Sequence, residues 1–452
     1  MRLRWTTRAI VALGMAAILG GGSSMFGQSH AEIRPADDEA RLELAKAEWR
    51  AGRLPQARKN LQLLLKRRPN EPRAIMLMGL VEEKSGDFPE AARLLTSVPL
   101  AIRTEPAAAA ALARSCYHIG TVEQARLCLE PAQGASPQGI FMAAIAAADA
   151  EDFETAEAMF VSIRPSYPDQ AAIAYQLALV QYHEGHIADS QATLLDMIAR
   201  GEGNADVHNL LGWCWFKSDN VHQAEQELNE AIRLDPSAVT NYLDLTRIGL
   251  AGRQLDAALD NSRRTVKLFP ASPEAWLLKG SIETASQRMV DAVASYATAV
   301  HLSRNDAEAE LALANAQSLA GMTRQSRASF QRLLQRYPRN PAVYMTYAEF
   351  LSSTEPTDTA RVAGLMKTAL SLDPSLAAPH YYLGNLALTG GKLDEAVQQL
   401  EAATRLEPDD SKAHFALSRA LRQQGKEEES TRELDIYKQL KTAEDGTGGS
   451  VQ

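Results

Sequence analysis

Residues 205–238 read ADVHNLLGWCWFKSDNVHQAEQELNEAIRLDPSA. Apolar residues recur here at helical spacing on both sides of the polar Lys217-Ser218-Asp219-Asn220 break, and Asp235-Pro236 closes the second stretch, so the segment predicts two helices joined by a tight turn. Small residues carry the pattern outward: Ala57, Ala91 and Ala125 are 34 residues apart, and after a shorter step to Ala156 the interval returns through Ser190, Ala224, Ala258, Ala292 and Ser326, then again from Ala396 to Ser430. A second series shares the phase. Pro236 and Pro270 are one period apart, Pro338 is two further on, and Pro374 and Pro408 follow after 36 and 34 residues. Self-similarity at this period means stacked helical hairpins whose core grows by repetition.

Leu211-Gly212, Trp215, Ala224, Leu228, Ala231 and Pro236 stand in the signature places of the tetratricopeptide repeat. Trp276, Gly280, Ala292, Tyr296 and Ala299 do so in another repeat, and Leu383-Gly384, Gly391, Ala396, Leu400, Ala403 and Pro408 in a third. The chain resembles that family from about residue 38 to 441. The resemblance implies an all-α, right-handed superhelical solenoid of about twelve helix-turn-helix repeats. Two antiparallel helices approach closely where side chains are small, so Gly212 is expected against Ala224 and Gly280 against Ala292, with Leu228, Leu400 and Phe330 filling the space between repeats. Gly52, Gly86, Gly120, Gly185, Gly321, Gly391 and Gly425 are expected to end first helices, and prolines such as Pro236 and Pro408 the second.

In the family, first helices line a concave groove that holds peptides or helices. Carried onto this chain, the partner-binding wall comprises Trp49, Tyr117, Tyr175, Tyr182, Trp213 and Phe216, with Arg50, Arg73, Lys84, Arg114 and Lys217 around them. Arg247, Asn315, Tyr381, Asn385, Phe415 and Arg419 continue it. A basic and aromatic wall suits an acidic or amphipathic peptide, although aromatics at helical spacing equally serve packing between repeats. The Lys and Asn clamp by which some relatives hold carboxylates is not reproduced, because Tyr381 and Leu311 stand where lysines would accompany Asn385 and Asn315.

The period breaks twice. Between Pro131 and Gly139 three residues are missing, which divides repeats 1–3 (38–133) from repeats 4–12 (137–441) and suggests a hinge; Ser353–Asp358 adds two residues in one turn. Residues 442–452 read as a disordered tail and 32–37 as a short leader. The charged run Glu427, Glu428, Glu429, Arg432, Glu433, Lys438 and Lys441 makes the last helix a polar cap.

Arg2, Arg4 and Arg8 precede the apolar stretch Ala9–Gly20, and Ser29-His30-Ala31 offers a small-residue cleavage site. Residues 1–31 therefore read as a signal peptide of an exported, periplasmic or extracytoplasmic protein that keeps no membrane span after cleavage; an uncleaved anchor helix over Ala9–Phe26 is the alternative.

A net charge of -9 in mixed-sign patches argues against nucleic acid as partner. No phosphate loop, nucleophile elbow or dinucleotide fingerprint occurs, so neither catalysis nor a cofactor is expected. His183-Glu184-Gly185-His186 lacks the i, i+4 spacing of a helical metal motif, and Gly185 marks a solvated turn, so no metal is expected either. Cys116 and Cys128 fall on the two helices of one repeat, where a disulfide is conceivable, but buried apolar roles are expected for both and for Cys214. These features point to a scaffold or adaptor binding other proteins, in envelope or secretion assembly, with a non-catalytic accessory subunit of an enzyme complex as the alternative. Its oligomeric state does not follow from the sequence.

Overall fold

A computed structural model describes residues 38–448, so the expected signal peptide and leader, 1–37, lie outside the described residues. Twenty-five α-helices and one 3-10 helix follow one another, with no strand among the described residues. Twenty-four of the helices pair as twelve hairpins, from Asp38–Arg50 with Leu54–Arg67 to Ser411–Gln423 with Glu427–Gly448. The chain divides into two compact halves, one ending at Ser237 and containing repeats 1–6, the other beginning at Ala238 and containing repeats 7–12.

The small-residue series is the floor of each hairpin. Ala57, Ala91, Ala156, Ala224, Ala258, Ala292 and Ala396 are completely buried, and a Cβ on Gly212 would lie 2.9 Å from Leu228 Cγ and 3.1 Å from the Ala224 carbonyl. At Gly280 the nearest neighbour is the ring of Tyr296, the counterpart of Leu228, whose Cε1 would be 2.7 Å from an added Cβ, so glycine makes room there for an aromatic. Where serine replaces alanine its hydroxyl is satisfied across the hairpin: Ser190, Ser326 and Ser430 each donate to a first-helix carbonyl, those of Ala178, Ala314 and Ser418, at 2.7–2.8 Å. A buried hydroxyl is tolerated because this bond replaces the water it loses.

The helix stops follow local chemistry. Val221–Leu234 and Leu393–Leu406 each end two residues before a proline, Pro236 and Pro408. Six of the seven turn glycines take left-handed φ; Gly120 is the exception, extended at φ −151 because the capping box of Thr121 and Gln124 starts the next helix directly. At the same turn position Glu151, Asp219, Arg253 and Gln287 adopt φ of 57–62 without being glycine.

Repeat 3 departs most from the others. Its second helix, Val122–Cys128, has only seven residues, and a 3-10 turn, Glu130–Gly134, follows it. The period break is packed rather than loose: Leu129 and Ala132 are 1% exposed, and the Ser136 amide donates to the Arg103 carbonyl at 3.1 Å. The short second helix lets the alanine faces of Pro106–Ile119 and Pro137–Asp149 meet directly, with Ala108–Ala113 and Ala146–Ala148 buried. Cys116 and Cys128 are joined by a disulfide, Cα–Cα 5.9 Å, which corrects the expectation of two free thiols. The bridge ties the seven-residue helix to its partner, a service longer second helices obtain from buried area alone. Cys214 is a free, buried thiol, as expected.

At the other end, Glu427–Gly448 runs 22 residues. The disordered tail expected from 442 is instead helical to Gly448, because no proline interrupts the i→i−4 ladder and Thr442 Oγ1 donates back to the Lys438 carbonyl. No helix among the described residues is long and apolar enough to cross a membrane.

Candidate functional site

Four of the expected wall residues occupy one position of the repeat. Trp49, Tyr117, Tyr182 and Phe216 each lie eight residues before the small residue of their hairpin, in the last turn of a first helix, and all four are half-buried. A residue that is neither core nor freely solvated there presents a ring edge to whatever lies along the first helices.

Their surroundings separate them. The Trp49 ring lies 5.0 Å from the Lys84 ammonium, a cation–π contact between repeats 1 and 2. Arg50, beside Trp49, and Lys217, beside Phe216, are exposed, and neither they nor Lys84 enters an ion pair among the described residues. Tyr117 is committed elsewhere. Its hydroxyl donates to Asp152 Oδ2 at 2.7 Å, and Arg126 holds the same carboxylate through Nε at 3.1 Å and Nη2 at 2.6 Å. Burial, reinforced by the hydrogen bond to Asp152, raises the Tyr117 phenol, so this side chain locks repeat 3 to repeat 4. Tyr182 packs edge-on to His183 and, with Tyr175, against the apolar core of repeats 5 and 6. Burial raises the Tyr175 phenol.

Trp213 corrects the sequence reading. It is 4% exposed and meets Phe216 edge to face at 5.9 Å, so its indole is packing that supports Phe216 and not part of a wall. Arg114 and Arg73 are likewise spent in ion pairs, with Glu83 and Glu39. In the second half Arg247 pairs with the buried Asp244 at 2.8 Å. Asn315 is exposed, whereas Asn385 is half-buried and donates to the carbonyl of half-buried Tyr381 one turn back. Phe415 is 41% exposed and packs on Tyr437, and Arg419 is exposed. The structure thus brings Trp49, Arg50 and Lys84 together in one place and Phe216 with Lys217 in another.

Sequence reading missed a ladder of polar pairs at constant spacing. Asn60 with Glu48, Thr193 with Gln181, Ser295 with Glu283 and Ser329 with Gln317 join residues twelve apart across a hairpin. His208–Glu227, His380–Gln399 and His414–Glu433 join residues nineteen apart. Between successive repeats the residue after the small one reaches forward: Arg58 to Glu82, Arg126 to Asp152, Arg327 to Glu355. The signal was available as recurring polar residues at fixed offsets from the small-residue series.

Residues 42–101, 177–239, 240–309 and 381–439 match a family model described as tetratricopeptide repeat, and residues 308–340 match a second model of the same description. The stretches between, 102–176 and 341–380, contain the two places where the period breaks. No curated protein matches the chain. Among solved structures, yeast Tom70 is similar at 14% identity, covering 89% of this chain and 92% of that one with a TM-score of 0.47. The human IFIT1 dimer with PPP-AAAA is similar at 15% identity, 81% and 90% coverage and a TM-score of 0.41. The C-terminal part of a TPR repeat-containing protein from Cytophaga hutchinsonii is similar at 15% identity, 54% and 99% coverage and a TM-score of 0.43.

Proposed function

Since this chain belongs to the tetratricopeptide repeat family, we propose that it is an exported, non-catalytic scaffold that holds a partner polypeptide along the first helices of its N-terminal half. The observation that carries this reading is the pairing of half-exposed aromatics with cations held in no ion pair among the described residues: Trp49 with Arg50 and Lys84, and Phe216 with Lys217. Rings supply contact area at low entropic cost and the cations choose among partners, so an acidic or amphipathic segment fits better than a basic one. A polypeptide fits better than nucleic acid, because the chain carries a net charge of -9 and these cations form no continuous stripe.

Export is supported by the basic and apolar start of the sequence and by the disulfide within repeat 3, since such bridges persist in oxidising compartments. Assembly of envelope or secretion machinery is the role we assign to an exported scaffold of this kind.

Crosslinking in the native envelope followed by affinity capture tests the binding surface. The wild type is compared with Arg50→Glu/Lys84→Glu/Lys217→Glu, three exposed positions whose reversal leaves the core intact, as circular dichroism would verify. Loss of the captured partners in the folded variant supports the reading; unchanged capture sinks it. Mature N-terminal sequencing tests export separately, with Glu32 expected first.

A further inference from the structure

The seam between repeats 4 and 5 places an acid where three other seams have an arginine. In repeats 1, 3 and 9 the residue after the small one is an arginine that reaches an acid of the next repeat. In repeat 4 that place is taken by Glu157, which faces not a cation but Glu184 of repeat 5. The third member is His186. It occupies the N-cap of Ile187–Ala199, where Asp87, Asp152 and Asn220 of other repeats bond the helix's own amides, yet its side chain makes no such bond. One ligand atom from each of Glu157, Glu184 and His186 lies within 4.8 Å of the other two.

We propose that Glu157, Glu184 and His186 form a divalent-cation site, suited to zinc, that bridges repeats 4 and 5. Glu184 Oε2 is wholly buried and accepts no hydrogen bond, which is costly for a carboxylate oxygen and is relieved by a coordinated cation. It lies 3.5 Å from His186 Nδ1. Two ligands on a tetrahedral ion with metal–ligand distances of about 2.1 Å stand about 3.4 Å apart, so this pair already has the spacing of one edge of the tetrahedron. Gln181 Nε2 donates to Glu157 Oε1 at 3.1 Å and leaves the other oxygen for the ion. One imidazole and two carboxylates suit zinc, with water completing the shell. His183 is outside the set, since its ring stacks on Phe153 at 5.1 Å.

The test is a competition titration of the full, chelator-stripped chain with Zn2+ against a chromophoric chelator, repeated with Co2+ to read the visible spectrum. One equivalent of Zn2+ should bind, and Co2+ should give the intense absorption of a four-coordinate ion. Glu184→Gln, which preserves shape, and His186→Ala should each weaken binding on the order of 100-fold, whereas His183→Ala should leave it unchanged. Wild-type affinity no greater than that of Glu184→Gln, or loss on His183→Ala equal to that on His186→Ala, overturns the site.

Discussion

An added Cβ at Gly384 would stand 2.6 Å from Leu400 Cγ and 3.2 Å from the Leu400 amide, whereas one at Gly364, also within a helix, would meet nothing within 4 Å. Gly384→Ala should therefore destabilise the chain by about 1–3 kcal/mol through overpacking, and Gly364→Ala should stabilise it by about 0.5–1 kcal/mol by restricting the unfolded chain. Opposite shifts of the urea midpoint check both. Asp152 offers a pH test. Burial opposes its ionisation, but hydrogen bonds from Arg126, Tyr117 and Thr155 hold it below the usual carboxylate range. Its contribution is complete above about pH 4 and is lost as the pH falls through its depressed folded-state pKa. Asp152→Ala should cost about 1–3 kcal/mol at pH 7, where Tyr117 and Arg126 lose their acceptor, and the difference from wild type should shrink at pH 2. The small residues were legible in the sequence because their constraint is steric and recurs with the period. The burial of Trp213 was not, because an aromatic in a first helix reads alike whether its ring points to core or groove.

At the scale of the helix, proline and glycine punctuation was legible and compensation for a broken element was not. Pro131 announces the early end of the second helix in repeat 3, yet nothing local says that a 3-10 turn and a disulfide will take over its work. Pairing of Cys116 with Cys128 depends on the rotation of two helices, which a separation of twelve does not fix. Reduction should loosen this repeat selectively. The bridge closes a loop whose entropy corresponds to about 3 kcal/mol. Hydrogen exchange of residues 122–134 should therefore accelerate in the reduced protein or in Cys116→Ser/Cys128→Ser, while residues 205–234 keep their protection. Equal acceleration in both segments would contradict a local role. The zinc site shows the same limit of sequence reading: His183-Glu184-Gly185-His186 has no metal spacing by itself, and the missing ligand, Glu157, comes from the preceding repeat.

Within each half of the chain, hairpins pack on their neighbours in sequence, so stability there is close to a sum of hairpin and seam contributions and the ends are special. The final hairpin caps the array with a helix whose first turn is Glu427-Glu428-Glu429. Removing residues 411–452 should uncover apolar side chains that now meet Leu417 and Leu421, both 2% exposed. Concentration-dependent association should follow in light scattering, with repeats 1–6 still helical; a monodisperse monomer would argue that repeat 11 is self-capping. The wall of Trp49, Arg50 and Lys84 draws on more than one repeat, so its composition was legible before its placement was. The bridge in repeat 3 has a mechanical corollary. It lies inside one hairpin and crosses no seam, so it shortens the tether that hairpin can release without stiffening the joints on either side. Stretched from its ends between beads, the oxidised chain should unravel with a total contour about 35 Å shorter than the reduced one, the extended span from Cys116 to Cys128 less the 5.9 Å that the bridge itself covers.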